Sequence, residues 1–215
     1  MKKHAFIYLI GTFITTGTAY AQSNPNKTGL SVGLEGSYNR AKLIENSSYR
    51  TNEEKTRAPG YRAFLAYNLN ENFSLELGYF GTGNLSNKET SLLSQSAKNT
   101  TSIETKAHAS GVDLSAIYKF TEGIPGLFLK AGITQSKVEI TANKVVKNIN
   151  SGAQSTLSSQ TLDNSATGTG YLLGLGYEMA LSSNLNGRIA LTSYQKLGGK
   201  DNNINNISLG LRYSF

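Results

Sequence analysis

The sequence predicts an all-β chain, an eight-stranded antiparallel up-and-down transmembrane β-barrel. Three observations predict it. The last eleven residues alternate strictly, with Ile207, Leu209, Leu211, Tyr213 and Phe215 on one parity and Asn206, Ser208, Gly210, Arg212 and Ser214 on the other. Successive side chains of a strand point to opposite faces, so this strand has one apolar and one polar face. Similar segments recur along the chain, joined alternately by long and short connections. No stretch approaches the roughly 20 apolar residues of a spanning helix, whereas about 9–11 alternating residues suffice for a spanning strand.

The first 21 residues stand apart. Lys2 and Lys3 precede the mostly apolar Ala5–Ile14, and Ala19-Tyr20-Ala21 fits a small-x-small cleavage site. This pattern predicts a Sec signal peptide over 1–21, cleaved after Ala21, because its apolar core is too short to span. Residues 22–215 then form a single barrel domain.

The first strand, from about Leu30 to Arg40, turns Leu30, Val32, Leu34 and Tyr38 outward and Ser31, Glu35 and Asn39 inward. The second, Pro59 to Leu69, turns Tyr61, Ala63, Leu65 and Tyr67 outward and Arg62, Phe64 and Ala66 inward. Asn70-Glu71-Asn72 suits a short turn. In the third, Phe73, Leu75, Leu77 and Tyr79 face out against Ser74, Glu76, Gly78 and Phe80. The fourth resumes near Ala107, with Val112, Leu114, Ala116 and Tyr118 outward and Asp113, Ser115, Ile117 and Lys119 inward.

A turn follows at Thr121–Gly126. The fifth strand carries Leu129, Ala131 and Ile133 outward and Phe128, Lys130 and Thr134 inward. Its apolar parity shifts over Ser136–Ile140, which predicts a β-bulge there. The sixth strand has Tyr171, Leu173, Leu175, Tyr177 and Met179 outward and Leu172 and Glu178 inward; the seventh, after a turn at Leu181–Asn184, has Leu185, Ile189 and Leu191 outward and Arg188, Ala190, Thr192 and Tyr194 inward. The Ser/Thr/Asn/Lys-rich connections at about 41–58, 82–106, 141–166 and 197–203 read as outer loops. The alternation of long and short connections puts both termini at the periplasmic end.

Composition narrows the functions. The chain has no cysteine, which excludes a disulfide framework and thiolate metal sites, and no metal or cofactor is expected. The net charge of +7 comes without a basic stripe or recognition motif, so nucleic acid is not an expected partner. Eight tyrosines (Tyr38, Tyr61, Tyr67, Tyr79, Tyr118, Tyr171, Tyr177, Tyr213) share the outward parity near strand ends, as interfacial aromatic girdles do.

The segments Leu69-Asn70-Glu71-Asn72-Phe73-Ser74-Leu75-Glu76-Leu77-Gly78-Tyr79, Pro125-Gly126-Leu127-Phe128-Leu129-Lys130-Ala131-Gly132 and Leu209-Gly210-Leu211-Arg212-Tyr213-Ser214-Phe215 resemble the eight-stranded OmpA-type and OmpX-type outer-membrane barrels of Gram-negative bacteria. The resemblance covers 22–215 at the level of pattern and is generic to the superfamily. It implies an outer-membrane location, contact with lipid and lipopolysaccharide, insertion by the barrel-assembly machinery through a C-terminal signal at Tyr213 and Phe215, and a monomer. No peptidoglycan-binding domain follows the barrel, so wall tethering is not implied. Envelope-structural or surface-contact roles, such as adhesion or resistance to host factors with a host surface ligand, are what the resemblance implies.

Three constellations could carry chemistry. The inward parity gathers Glu35, Glu76, Asp113 and Glu178 with Arg62, Lys119, Lys130, Arg188 and Arg212. An eight-stranded interior is just wide enough for side chains to fill, so these groups are expected to pair and seal it; a charged low-conductance pore is the alternative. His108 and Ser110 share one face, as in small barrels that modify lipid A, yet no acid of matching parity accompanies them on their own strand. The loop charges Lys42, Arg50, Glu53, Glu54, Lys55 and Arg57 could meet lipopolysaccharide phosphates or simply be solvated.

Overall fold

The computed structural model describes residues 29–42, 56–94, 99–150 and 153–215. The expected signal peptide over 1–21 and most of the expected loop at 41–58 lie outside them. The described residues form β1 (Gly29–Lys42), β2 (Thr56–Asn68), β3 (Phe73–Thr82), β4 (Leu85–Ser94), β5 (Asn99–Lys119), β6 (Leu127–Asn150), β7 (Ala153–Ala180), β8 (Leu185–Leu197) and β9 (Asn202–Ser214).

Each strand pairs antiparallel with its neighbours in the order β3-β2-β1-β9-β8-β7-β6-β5-β4, and β3 also pairs with β5. The ladder from Phe73↔Tyr118 to Gly81↔Ser110 shuts the sheet on itself. β3 and β4 are two segments of one stave, interrupted at Gly83–Asn84, where the Gly83 N–H turns to the Pro59 carbonyl at 2.6 Å. The Thr82 hydroxyl accepts the Ala109 N–H at 2.9 Å and fills the gap in the ladder. The result is a closed eight-stranded barrel. Closure leaves no unpaired backbone facing lipid, where each unsatisfied group costs several kcal/mol.

The short turns are built by their own side chains. Asn70 Oδ1 accepts the N–H groups of Asn72 and Phe73 at 2.9 and 2.8 Å, and Asn72 Nδ2 donates to the Lys119 carbonyl at 3.0 Å. Asn184 Nδ2 donates to the Ser214 carbonyl at 2.8 Å, tying the β7–β8 turn to the end of β9. Asn and Asp suit such turns because the side chain mimics a backbone acceptor.

Two expected loops are strand instead. The region 82–106 contains β4 and the first part of β5, and 141–166 is occupied by the ends of β6 and β7. Thr is favoured in strands, and a strand above the lipid can be polar on both faces, so it shows no period of two. The expected loop at 197–203 shrinks to a tight turn over 198–201. Lys196, Gly198 and Gly199 supply φ values of 56°, 66° and 70°, and Leu197 is fully buried.

The expected bulge at Ser136–Ile140 is also absent. The ladder to β5 is continuous there, and the register of β6 against β7 shifts only at Val146/Lys147. What changes is the medium. Below, Lys130 and Thr134 are buried inside while Leu129 and Ile133 are exposed; above, Val138 is buried inside while Lys137 and Glu139 are exposed. Ala41, Ala58, Leu85, Ala107, Ala109, Leu197 and Ile204 join Val138 in an apolar cap, with Phe80, Leu172 and Tyr194 beneath. The barrel is thus polar inside and apolar outside where lipid surrounds it, and the reverse where water does.

Candidate functional site

The interior below the apolar cap is filled by charge. Arg62 enters from β2, Glu76 from β3, Asp113 from β5, Lys130 from β6, Arg188 from β8 and Glu35 from β1, all on the inward parity and all buried. Arg62 donates from Nε and Nη2 to the two carboxylate oxygens of Asp113 at 2.9 and 2.7 Å, and from Nη1 to Glu76 Oε2 at 3.0 Å. Arg188 Nη1 donates to the other Glu76 oxygen at 2.5 Å, and Arg188 Nε lies 3.3 Å from Glu35 Oε1. Lys130 is held more loosely, 3.9 Å from Glu76 and 4.0 Å from Asp113.

Two phenyl rings complete this layer. The Arg188 guanidinium lies 4.3 Å from the Phe128 ring centre and 5.1 Å from that of Phe64, and Arg62 lies 4.7 Å from Phe64. Glycines opposite in the ladder make the room. Gly33 faces Phe64, and Gly176 faces Phe128. A Cβ at either glycine would overlap the facing ring.

A second cluster lies toward the termini. Glu178 accepts from Lys119 Nζ at 2.7 Å, Asn186 Nδ2 at 3.1 Å and Arg212 Nη1 at 3.3 Å. Arg212 also donates to Ser31 at 3.0 Å and Asn68 at 2.5 Å. All nine inward charges therefore meet in two layers. Above them the space between Arg62 and Tyr194 is about 10 Å³, at most a single water. The side chains close the lumen.

Seven of the eight tyrosines are exposed on the outer face. Tyr177 differs: it holds the outward parity but is buried, because Gly126, at φ 92°, brings the β5–β6 turn against its ring. A girdle counted in tyrosines alone leaves out the outward-parity phenylalanines that extend the lower belt. Phe73 and Phe120 flank Tyr118 with ring centres 5.0 and 5.1 Å away, and Phe215 stands edge-on to Tyr213 at 5.4 Å.

His108 and Ser110 sit on the outer face of β5, above the lipid-facing residues. An acid of matching parity is present, on the neighbouring strand: Glu139 lies directly across the ladder from His108, and Lys137 across from Ser110. The acid is occupied, since Lys137 Nζ stands 2.6 Å from Glu139 Oε1 and holds that carboxyl below the usual carboxylate range. Among the described residues no hydrogen bond joins His108 to Ser110 or to Glu139, so the geometry is not that of a nucleophile, base and orienting acid. Arg57 is described and exposed; Arg50, Glu53, Glu54 and Lys55 lie outside the described residues, as does the side chain of Lys42.

Comparison with known proteins agrees with this architecture. The Ail attachment invasion locus protein of Yersinia pestis superposes with a TM-score of 0.53 at 14% identity, over 88% of this chain and 100% of that one. Neisserial surface protein A gives 0.47 at 18% identity, over 87% of this chain and 98% of that one. No curated protein matches the sequence. The family model of the outer membrane protein beta-barrel domain matches residues 9–215. The chain belongs to that family, and it is an integral β-barrel of the outer membrane.

Proposed function

We propose that this is a non-enzymatic surface-contact protein, in which a sealed barrel anchors a projecting sheet that pairs with extended segments of a partner outside the cell. One observation carries the reading. β8 pairs with β7 only from Tyr171 to Ala180, so Ala153–Gly170 of β7 is bonded to β6 alone among the described residues. The 195–199 segment stands against Ala166, Gly168 and Gly170; above it, the other edge of Ala153–Ser165 has no partner strand among the described residues and is a row of backbone donors and acceptors, the template that an added strand uses.

Natural proteins blunt such edges with proline or charge. This one carries no proline and one charged residue, Asp163. The filled lumen supports anchoring over transport, because the paired charges leave no steady aqueous path. Likeness of fold to a protein named for attachment and invasion is in keeping with the reading. Removal of the leader after Ala21, insertion through Tyr213 and Phe215, and a monomeric state complete the proposal.

The test removes the projection and keeps the barrel. Ile140 and Asn164 are ladder partners, so excising 141–163 and joining them through Asn-Gly preserves the hairpin. The shortened protein should still insert and show heat-modifiable migration, while cells producing it lose adherence to surfaces coated with extracellular-matrix protein. Equal adherence of the full and shortened forms would overturn the reading. Planar-bilayer recordings of the full barrel should be silent, and steady steps altered by Glu76→Gln would make it a pore. His108→Ala should leave the acylation of lipid A unchanged.

A further inference from the structure

One large apolar side chain stands exposed far from lipid. Among the exposed large apolar side chains of the described residues, all but Leu162 line the lipid band or the turns and chain end below it. Leu162 is 62% exposed and lies nine residues above Tyr171 on β7, roughly 30 Å along the strand. It holds the inward parity of Ala166 and Leu172, on the side of the apolar cap. Ala142 is directly across the β6–β7 ladder, half-buried, and Ile140 below it packs on the cap. The apolar lining of the barrel mouth thus continues up the inner face of the projecting sheet and ends bare at the open edge of β7.

Asp163 is the next residue and holds the outward parity. It is the only charged residue of that edge, it is exposed, and it forms no ion pair among the described residues. Its ladder partner on β6 is Thr141, so no counter-charge comes directly across the ladder.

A strand paired to this edge sets each of its residues on the same face as the residue opposite, with Cβ atoms roughly 4.5–5.5 Å apart. The residue opposite Leu162 shields it from water, and burial of apolar surface favours an apolar side chain there. The residue opposite Asp163 is the next one along the added strand and points outward. Opposite charges stabilise such a cross-strand pair, and like charges destabilise it. Main-chain bonds give an added strand its affinity, and side chains at alternate positions give it specificity.

We propose that Leu162 and Asp163 select the segment that adds to β7: an extended stretch with an apolar side chain opposite Leu162 and, adjacent in sequence, a lysine or arginine opposite Asp163. This inference rests on the reading of β7 as a pairing edge and names the chemistry that the edge prefers.

Fluorescence anisotropy of short labelled peptides with the refolded barrel in uncharged detergent tests the choice. The probes alternate Val-Lys, Thr-Lys and Val-Glu; threonine matches valine in β-branching and strand preference. Val-Lys should bind about fivefold tighter than Thr-Lys, as apolar burial implies. It should bind about threefold tighter than Val-Glu, as a cross-strand charge pair implies. Bulk charge predicts the reverse of that last order, since the chain carries +7. Leu162→Ser should abolish the preference over Thr-Lys, and Leu162→Ile should keep it. Asp163→Lys should make Val-Glu the tighter binder.

Heat-modifiable migration confirms that each variant is folded. If no peptide binds, or if Val-Lys binds the form lacking 141–163 as well as the full barrel, the pairing edge falls and the inference with it. If all three peptides bind alike and only to the full barrel, or if the preferences persist in Leu162→Ser and Asp163→Lys, the edge stands and the selection is overturned.

Discussion

The Arg62 guanidinium grips the Asp113 carboxylate with two parallel hydrogen bonds, Nε to Oδ2 at 2.9 Å and Nη2 to Oδ1 at 2.7 Å. The pair closes the barrel between β2 and β5, with β3 between them. Gly78, across the ladder from Asp113, leaves the space the fork occupies: a Cβ there would stand 2.6 Å from Arg62 Nε and 2.7 Å from Asp113 Oδ2. Breaking a buried pair from one side strands a charge and costs roughly 3–5 kcal/mol, whereas replacing both partners by apolar groups of similar size can be nearly neutral. Asp113→Ala should therefore destabilise the folded barrel in a urea titration, and Arg62→Met/Asp113→Leu should cost less than the sum of its two single changes, because Glu76, which also loses Arg62, keeps Arg188. Additive losses would show that the two residues do not act as a pair.

Lys130 predicts the opposite behaviour. Five inward bases face four inward acids, and Lys130 makes the longest contacts of the five, at 3.9 and 4.0 Å. Lys130→Met keeps the volume and brings the formal charges level. It should change unfolding free energy by less than about 1.5 kcal/mol, as volume-conserving swaps do, while Arg188→Met strands Glu76 and Glu35 and costs several. The same urea titration compares the two.

These charges show what the sequence could and could not reveal. Membership of the interior was legible because lipid demands apolar side chains on one parity, which leaves Glu76 and Arg188 on the other. Partnership was not, since the two are 112 residues apart and meet through the stagger of the staves. Above the lipid the signal fades. Residues 161–165 are all exposed, so no alternation marks them as strand. Val138 follows the same backbone alternation as Lys130, yet the change from lipid to water reversed its character and resembled a bulge. Glu139 was missed as the neighbour of His108 because it comes from the next strand.

Gly33 and Phe64 make a steric prediction. Gly33→Ala forces its methyl group into the Phe64 ring, and overpacking of this kind costs roughly 1–3 kcal/mol. In a Phe64→Ala background the same change should cost almost nothing, because residues in contact are not additive. A double-mutant cycle on refolding yield and urea midpoint measures the coupling. Independent effects would mean that the ring sits elsewhere.

The reversal of polarity along β6 can be read directly, because the chain has no cysteine of its own. Ile133, Lys137 and Val138 lie on one strand and face lipid, water and the sealed cap respectively. In whole cells, a cysteine replacing Lys137 should react with a charged, membrane-impermeant thiol reagent. One replacing Ile133 should react only with a lipid-soluble reagent, since four residues, roughly 13 Å of strand, carry the side chain from water into hydrocarbon. One replacing Val138 should resist both until the barrel unfolds. A bulge between Ser136 and Ile140 would exchange the faces of the last two. Labelling of Val138→Cys with protection of Lys137→Cys would then put Lys137 in the sealed interior and show that the ladder is broken there.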